Sequence, residues 1–272
     1  MSATDITAAV SADADGRITT EKRGRVLIIR LDRPKKLNGF SIKMIKELAA
    51  AYTAFENDDE AWVGLLCAEG PHFTAGLQLD QIGPYMARGE SLWPDGAIDP
   101  FGLRDPKRSK PLVVAVQGIT YTIGIELMLA ADVVVAAHNC RFAQLEVKRG
   151  IMATGRATVR MAERAGWGNA MRYLLTGDEF DAATALRFGF VQEVVPAGEE
   201  FARALAIAAK IAAQAPLAVR ATIASVRKVA ELGQDAAVAE FRAMQARLAS
   251  SADAKEGVAS FVDKRDARFE GR

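Results

Sequence analysis

Two acidic residues, Glu126 and Glu146, stand where an acid–base reaction could use them. Glu126 follows a glycine-containing turn between an apolar, β-branched run, Pro111–Val116, and the apolar segment Gly124–Ala131. The sequence therefore predicts a buried strand, a turn and a buried helix in this order. At such a turn, backbone N–H groups and the positive end of the helix dipole favour a developing negative charge.

Glu126 has two interpretations from its neighbours alone. It is either an ordinary carboxylate on the solvated side of its helix, or a buried acid that needs partners or a function. Two further features favour the second interpretation. His72–Leu79 supplies another glycine, Gly76, whose neighbouring N–H could face a ligand. Glu146 is a second acid, and it follows another apolar strand candidate, Asp132–Ala137.

Four segments, in this order, resemble signature segments of the crotonase superfamily, which includes the enoyl-CoA hydratases and isomerases. They are Arg33–Asn38, Phe73–Leu79, Ala115–Leu127 and Asp253–Arg265. The resemblance covers the chain from about residue 20 to its end. It implies a spiral of ββα turns, followed by a helical region through which subunits form trimers, and trimers can pair into hexamers.

The hydrophobic pattern independently predicts an α/β fold, because strand candidates alternate with helices. An amphipathic helix is expected from Ser41, which is a good N-cap residue. The strand candidates are Val26–Leu31, Val63–Ala68, Leu112–Val116, Val133–Ala136 and Val191–Val194, and the late helices are Phe201–Gln214, Leu217–Leu232 and Asp235–Ser250. We divide the chain into a flexible tail (1–20), a spiral core (21–198) and a C-terminal helical region for trimerisation (199–272).

Composition excludes several classes of protein. Half of the 272 residues are hydrophobic, a quarter are charged, and the formal net charge is +1, which gives no support for nucleic-acid binding. No apolar run reaches membrane-spanning length. The segment 1–16 lacks the basic residues of a signal or transit peptide. Cys67 and Cys140 lie in or beside apolar strand candidates as reduced thiols, so a cytoplasmic location is expected.

Other catalytic mechanisms lack their residues in this sequence. The chain has no G-x-S-x-G nucleophile motif, no P-loop and no H-E-x-x-H zinc motif. Only His72 and His138 could serve a histidine-based triad or a metal centre, so we expect no metal. Aspartates and glutamates remain the best acid–base candidates.

The resemblance implies a role for each candidate residue. The N–H groups of Leu77 and Ile123 would hold the thioester oxygen, Glu126 would orient and deprotonate a water molecule, and Glu146 would deliver the proton. The residues expected to contact coenzyme A are Lys35, Lys36, Leu37, Ala75, Leu77, Phe261 and Lys264. No cofactor is implied, because coenzyme A is part of the substrate.

The expected activity is the addition of water to a 2-enoyl-CoA, since hydration uses both a base and an acid. An enoyl-CoA isomerase or another crotonase-type lyase is the alternative, because an isomerase needs only the acid at Glu146. A further alternative is a non-catalytic scaffold that binds acyl-CoA. The partners expected are an acyl-CoA thioester and further copies of the chain, with no nucleic acid and no membrane.

The sequence also departs from the family pattern. Thr122 and Ile123 stand where hydratases usually have glycines, Gln78 replaces an aspartate, and Asp80 replaces a lysine. Arg156 is unexpected in the turn after Glu146; it is either near the mouth of the acyl pocket or an ordinary surface residue.

Residues 84–110 break the regular pattern and predict either a surface loop or a wall or lid of the acyl pocket. They contain three aromatic residues that look exposed, Tyr85, Trp93 and Phe101. Four cations of this segment could meet a phosphate or simply be solvated. They are Arg104, Lys107, Arg108 and Lys110.

Overall fold

A computed structural model describes residues 14–272 and confirms the predicted α/β class. The strands are β1 (Arg17–Arg23), β2 (Val26–Asp32), β3 (Val63–Ala68), β4 (Leu112–Val116), β5 (Ile119–Tyr121), β6 (Val133–Ala137), β7 (Arg141–Ala143), β8 (Phe180–Asp181) and β9 (Glu193–Val195). The helices are α1 (Ile42–Asn57), α2 (Leu79–Ala87), α3 (Ile123–Leu129), α4 (Ala157–Ala165), α5 (Trp167–Leu174), α6 (Ala182–Arg187), α7 (Glu200–Ala212), α8 (Pro216–Leu232), α9 (Gln234–Ala239), α10 (Phe241–Ala249) and α11 (Ala252–Asp263). Short 3-10 helices cover Pro34–Lys36 and Glu146–Arg149.

The strands form two sheets that the chain visits in turn. The larger sheet has the order β1-β2-β3-β4-β6-β9, with β1 and β2 antiparallel and the later pairs parallel. The smaller sheet has the order β5-β7-β8. From β4 the chain passes to β5 and α3, and from β6 it passes to β7, so each step contributes one strand to each sheet. These repeated steps form the spiral.

The larger sheet is covered on both faces, which explains why its strands are almost continuously apolar. Successive side chains point to opposite faces. Leu65 packs with Ala204 and Ala208 of α7, whereas its neighbour Leu66 packs in the cluster that contains α1 and α3. The N-terminus of α1 is capped as predicted, since Ser41 Oγ accepts a hydrogen bond from the backbone N–H of Met44 at 3.2 Å.

Two predicted boundaries at the ends of the spiral are wrong. Residues 17–20, which we assigned to the flexible tail, lie in β1, while residues 1–13 of that tail fall outside the described residues. Strand β1 is a partly exposed edge strand, so its sequence has no apolar alternation. It is held in place by its antiparallel hydrogen bonds to β2. The last strand is Glu193–Val195 rather than Val191–Val194, because Val191 is buried in the main core before the strand begins.

The C-terminal region is helical as predicted but is more broken. The single helix expected over Asp235–Ser250 is two helices, α9 and α10, which meet at Glu240. No residue of α8 is buried, and the exposed large apolar side chains of this region are Val226, Val229, Leu232, Val238, Phe241, Val258, Phe261 and Val262. No single helix among residues 14–272 could span a membrane by length and composition; α7 and α8 pass that test only as a pair, and they are bent by 106°.

Residues 84–110 pack more tightly than their sequence suggests. Trp93 and Phe101, which looked exposed, are each only 7% exposed and meet edge-to-face with their ring centroids 5.1 Å apart. The apolar side chain of Ile98 is also buried in the main core. The interpretation of these two aromatics as exposed is therefore wrong, because the segment folds back onto the core.

Two of the four cations in this segment are structural. Arg108 is buried and forms an ion pair with Asp132 at 2.9 Å. Buried Lys110 donates to two backbone carbonyls at the C-terminal end of α1, those of Phe55 at 2.8 Å and Asp58 at 2.7 Å. Their charges fasten the loop to the core, so the phosphate interpretation is wrong for these two residues.

Candidate active site

Helix α3 carries Glu126 into the interior. All seven residues of α3 are buried, and Glu126 is 6% exposed. The helix begins after Thr122, whose backbone has φ 47° and ψ −111°, a conformation that favours glycine. The Thr122 N–H donates to the carbonyl of Ala143 at 2.9 Å, which fastens this turn to β7. The solvated interpretation of Glu126 is therefore wrong.

The buried Glu126 carboxylate has a backbone partner on another turn of the spiral. Its Oε1 accepts a hydrogen bond from the N–H of Gly155 at 2.6 Å. A Cβ atom on Gly155 would lie 2.4 Å from Oε2 of Glu126, so a side chain at this position would displace the carboxylate. Glycine at this position thus lets the backbone hold the carboxylate in one place.

Glu146 begins the 3-10 helix that follows β7, and it is partly buried. Gln144, two residues earlier, is buried. With its NH2 group turned toward Glu146, the Gln144 amide donates to the two carboxylate oxygens at 3.2 and 3.1 Å. Gln144 therefore orients the second acid, as Gly155 orients the first.

The charge of Glu146 acts on the protonation of Glu126. Burial, followed by the charge of Glu146, raises the pKa of Glu126 from 4.5 to about 7, against hydrogen bonds from Gly155 and Ala157. Burial also raises the pKa of Glu146. Glu126 can therefore hold a proton and release it near neutral pH, as a general acid or base must.

Two loops converge beside these acids. The Tyr121 N–H donates to the carbonyl of Thr74 at 3.0 Å, which joins the loop before α2 to the strand before α3. The same two loops approach at Gly76, where a Cβ atom would lie 2.7 Å from Oγ1 of Thr122. The structure therefore brings together the two segments that were predicted to supply N–H donors.

The predicted donors, the N–H groups of Leu77 and Ile123, are not used by the fold. Leu77 lies opposite Phe40 in a parallel bridge, but the hydrogen bonds are made by the residues on either side of Leu77. Phe40 N–H donates to Gly76 O at 2.8 Å, and Gln78 N–H donates to Phe40 O at 2.9 Å. This arrangement leaves the N–H of Leu77 directed away from Phe40. Among residues 14–272, neither N–H has a hydrogen-bond acceptor.

The predicted coenzyme A contacts fall into two groups. Lys35, Lys36 and Leu37 are exposed on the loop after β2, and the Leu37 carbonyl accepts from the N–H of Ala75 at 2.9 Å, which places this loop against Leu77's loop. The second group, Phe261 and Lys264, lies at the end of α11. Phe261 is 85% exposed and Lys264 is exposed, so a single chain leaves this pair uncovered.

Arg156 occupies the N-cap position of α4 with φ 79°. It directly follows Gly155, the partner of Glu126, and its side chain is partly buried. Its charge acts on Glu231 of α8, whose pKa is lowered first by a hydrogen bond from Lys107 and further by Arg156 and Arg227. Arg156 is therefore close to the acid-bearing turn, on the side that faces α8.

The two histidines serve the fold. His72 Nδ1 accepts from the N–H of Ile119 at 3.1 Å, and His138 Nδ1 accepts from the N–H of Ala197 at 3.0 Å. Within the described residues, no group of three or more His, Cys, Asp or Glu side chains is placed to hold a metal ion.

Sequence reasoning missed the partners of both acids. Gly155 stands 29 residues after Glu126, and no local pattern connects them. Gln144 had a weak signal, since a buried amide two residues before an acid has few possible acceptors.

Known proteins resemble this chain along most of its length. A protein-family model described as enoyl-CoA hydratase/isomerase matches residues 21–272. An enoyl-CoA hydratase of Mycobacterium tuberculosis, EchA19, is 31% identical over 93% of this chain and 96% of its own length. The 2,3-dehydroadipyl-CoA hydratase of Escherichia coli is 29% identical over 94% of this chain and 99% of its own.

Solved structures extend the comparison to the fold. A probable enoyl-CoA hydratase/isomerase from Mycobacterium abscessus superposes with a TM-score of 0.91 at 46% identity, covering 94% of this chain and 98% of that one. An enoyl-CoA hydratase from M. tuberculosis gives 0.84 at 35% identity, covering 94% and 99%. The spiral is therefore the crotonase fold. The chain belongs to the enoyl-CoA hydratase/isomerase family and is an enoyl-CoA hydratase-like enzyme.

Proposed function

We propose that this enzyme adds water across the double bond of a 2-enoyl-CoA thioester, with Glu126 as the base and Glu146 as the acid. The observation that carries the proposal is the pairing of these residues. The charge of Glu146 contributes to raising the pKa of Glu126 to about 7, so the two carboxyl groups share one site. Hydration requires a proton to leave water and another to reach the α-carbon, and two acids at one site supply both steps.

The thioester oxygen would be held by the N–H groups of Leu77 and Ile123. Negative charge develops on that oxygen when the adjacent carbon gains or loses a proton. Two N–H groups that the fold does not use, on loops joined by the Thr74–Tyr121 hydrogen bond, suit that charge. Each such donor contributes about a hundred-fold or more in rate. The branched side chain of Ile123 is buried, so its backbone rather than its side chain is offered to the substrate.

Coenzyme A would lie along the loop of Lys35, Lys36 and Leu37, with Ala75 and Leu77 beneath the pantetheine arm. Two lysines there suit its phosphates. Phe261 and Lys264 would complete the site from a neighbouring subunit of a trimer or hexamer, which accords with their exposure at the end of α11. We infer a cytoplasmic location from the two reduced, buried cysteines, Cys67 and Cys140. No cofactor beyond the coenzyme A of the substrate is needed for this reaction.

The test is a pair of assays on the purified chain. Loss of the conjugated thioester of crotonyl-CoA measures hydration, and conversion of a 3-enoyl-CoA to the 2-enoyl isomer measures isomerisation. We expect hydration to be the faster reaction. Isomerisation without hydration would assign the enzyme to the isomerases, and binding of the esters without either reaction would make the chain a scaffold.

A further inference from the structure

A cavity lies beside the acid-bearing turns, between α4, α8 and the loop 99–102. Its volume is about 230 Å³, several times the roughly 30 Å³ that one water occupies in the liquid. Six cationic side chains line it: Lys107, Arg108, Arg156, Arg160, Arg164 and Arg227. We call it the arginine cavity.

Three of the four acids that line the arginine cavity are already engaged. Asp99 accepts from two backbone N–H groups of its own loop, at 2.8 and 3.2 Å. Asp132 pairs with Arg108 at 2.9 Å, and Glu231 pairs with Lys107 at 2.7 Å. Arg227 also pairs with Asp132, at 3.8 Å, so three of the six cations are in ion pairs with these two acids. The fourth acid, Glu163, is exposed, and its charge acts on Arg160 and Arg164.

Arg156 and Arg160 are left with hydrogen-bond donors to spare. Arg160 Nη2 donates to the Phe101 carbonyl at 2.6 Å, but its Nη1 is buried and has no partner within residues 14–272. Arg156 makes no side-chain hydrogen bond or ion pair within residues 14–272, although its charge acts on Glu231. Burial, and then repulsion from Arg156 and Arg164, lowers the pKa of Arg160 to about 10. A buried donor without an acceptor is unfavourable, so an anion would stabilise this arrangement.

We propose that the arginine cavity binds a carboxylate group, held by the guanidinium of Arg156 and by Nη1 of Arg160. The planar guanidinium fits the two oxygens of a carboxylate in a bidentate arrangement. The cavity also has room for a short carbon chain behind that group. Its other ligand-facing surface includes Leu129 and Phe101, which are apolar. A chain that ends in a carboxylate therefore matches the cavity better than a bare inorganic ion.

The arginine cavity adjoins the candidate active site. Leu129 and Ala130, at the end of the helix that bears Glu126, line it. Arg156 follows Gly155, whose N–H holds the Glu126 carboxylate. The carboxylate has two possible sources: the far end of an acyl group whose thioester lies at Glu126 and Glu146, or a small carboxylate free in solution. The first source rests on the proposed function, and the second does not.

The binding experiment uses glutarate as the probe and needs no turnover. Calorimetric titration of the full-length protein at fixed ionic strength should give binding that is about ten-fold or more weaker in Arg156→Gln, because a charge-assisted hydrogen bond is lost. Arg242→Gln, which removes an exposed arginine on α10, is the matched control and should bind glutarate as the natural chain does. If Arg156→Gln fails to fold, Arg156→Gly replaces it, since glycine accepts φ 79°. No glutarate binding by the natural chain, or equal binding by the variant, overturns the proposal.

The kinetic experiment separates the two sources. Two enoyl-CoA esters of equal chain length are compared, one ending in a carboxylate and the other in a methyl group. If the far end of the acyl group occupies the cavity, the ratio of their kcat/KM values falls about ten-fold or more in Arg156→Gln. An unchanged ratio together with specific glutarate binding identifies a free carboxylate as the ligand.

Two outcomes distinguish this proposal from the proposed function. Should neither ester be hydrated while glutarate binding still depends on Arg156, the hydratase function fails and the carboxylate site stands. If Arg156→Gln instead raises KM equally for both esters and glutarate does not bind, the guanidinium meets the phosphates of coenzyme A, and the carboxylate site is wrong.

Discussion

The spiral core and the C-terminal helices differ in how far their apolar side chains are buried. In the core, the strand residues on both faces of the larger sheet are covered by the same chain. No residue of α8 is buried. Large apolar side chains of α8 and of the helices after it, from Val226 to Val262, are exposed. The core therefore buries its apolar side chains within the chain, whereas the C-terminal helices leave an apolar surface uncovered.

The two regions have different proposed roles, catalysis in the core and coenzyme A binding in the C-terminal helices. The acids, their backbone partner Gly155 and the unused N–H groups all belong to the core. Phe261 and Lys264 belong to the C-terminal helices and are exposed in a single chain. We expect changes in the core to reduce turnover, and changes in the C-terminal helices to weaken substrate binding and assembly.

The largest effect is expected in the core, from Glu126→Gln and Glu146→Gln. Each should lower kcat by about a hundred-fold or more, because a positioned acid or base is lost. Circular dichroism should remain that of the natural chain. Glu199→Gln, which removes an exposed carboxylate at the start of α7, is the control. Loss of activity in Glu146→Gln alone would favour an isomerase, and no loss in either variant would favour a scaffold.

Gly155→Ala tests whether the core holds Glu126 by close backbone contact. The added Cβ would lie 2.4 Å from the carboxylate, so the acid must move, and kcat should fall by about ten-fold or more. Gly168→Ala is the matched control, because a Cβ there meets nothing within 4 Å. Turnover by Gly155→Ala equal to that of the control would show that the acid does not depend on this contact.

A smaller effect, on KM, is expected from the C-terminal helices. Phe261→Ser removes an apolar side chain that is 85% exposed in the single chain, so the melting temperature of an isolated subunit should not change. KM for enoyl-CoA esters should rise several-fold, and deletion from residue 253 onward should also shift the sedimentation coefficient. Leu186→Ser, at an exposed apolar position on α6, is the control. Unchanged KM and sedimentation would place the coenzyme A site entirely within one chain.

The smallest effect is a pH dependence of core stability. Because the pKa of Glu126 is raised from 4.5 to about 7, the folded state binds more protons than the unfolded state in this window. The free energy of unfolding therefore decreases as pH rises through it and levels off above the folded pKa. Glu126→Gln should gain on the order of 1 kcal/mol over the natural chain between about pH 5 and about pH 8 in urea titrations. A constant difference would show that Glu126 is not destabilised by burial.

Strands that are buried on both faces were predictable from sequence, and paired edge strands were not. β3 and β4 begin and end as predicted, because both faces of the larger sheet are apolar there. β1, β5 and β7 are either partly exposed or only three residues long, and they exist through hydrogen bonds to distant partners. Local hydrophobicity contains no information about such pairing.

For the candidate site, the residue types were predictable and their supports were not. Glu126 was recognised as an unusual acid and is buried, but its contact with Gly155 crosses 29 residues. Likewise, the charges of Arg108 and Lys110 suggested a phosphate, whereas the fold uses them to fasten a loop. A sequence shows that a charged group is present, while its partner is known only once the chain is folded.

The loops of the site are joined to each other by peptide groups, and this bears on how the sequence can drift. Ala75 bonds to Leu37, Tyr121 to Thr74, and Thr122 to Ala143, in each case through backbone N–H and carbonyl groups. Backbone hydrogen bonds persist when side chains are exchanged, so the loops can accumulate substitutions without losing their mutual spacing. Positions that differ from the family pattern, such as Thr122, can therefore change to suit new acyl groups while the spacing of the loops is kept.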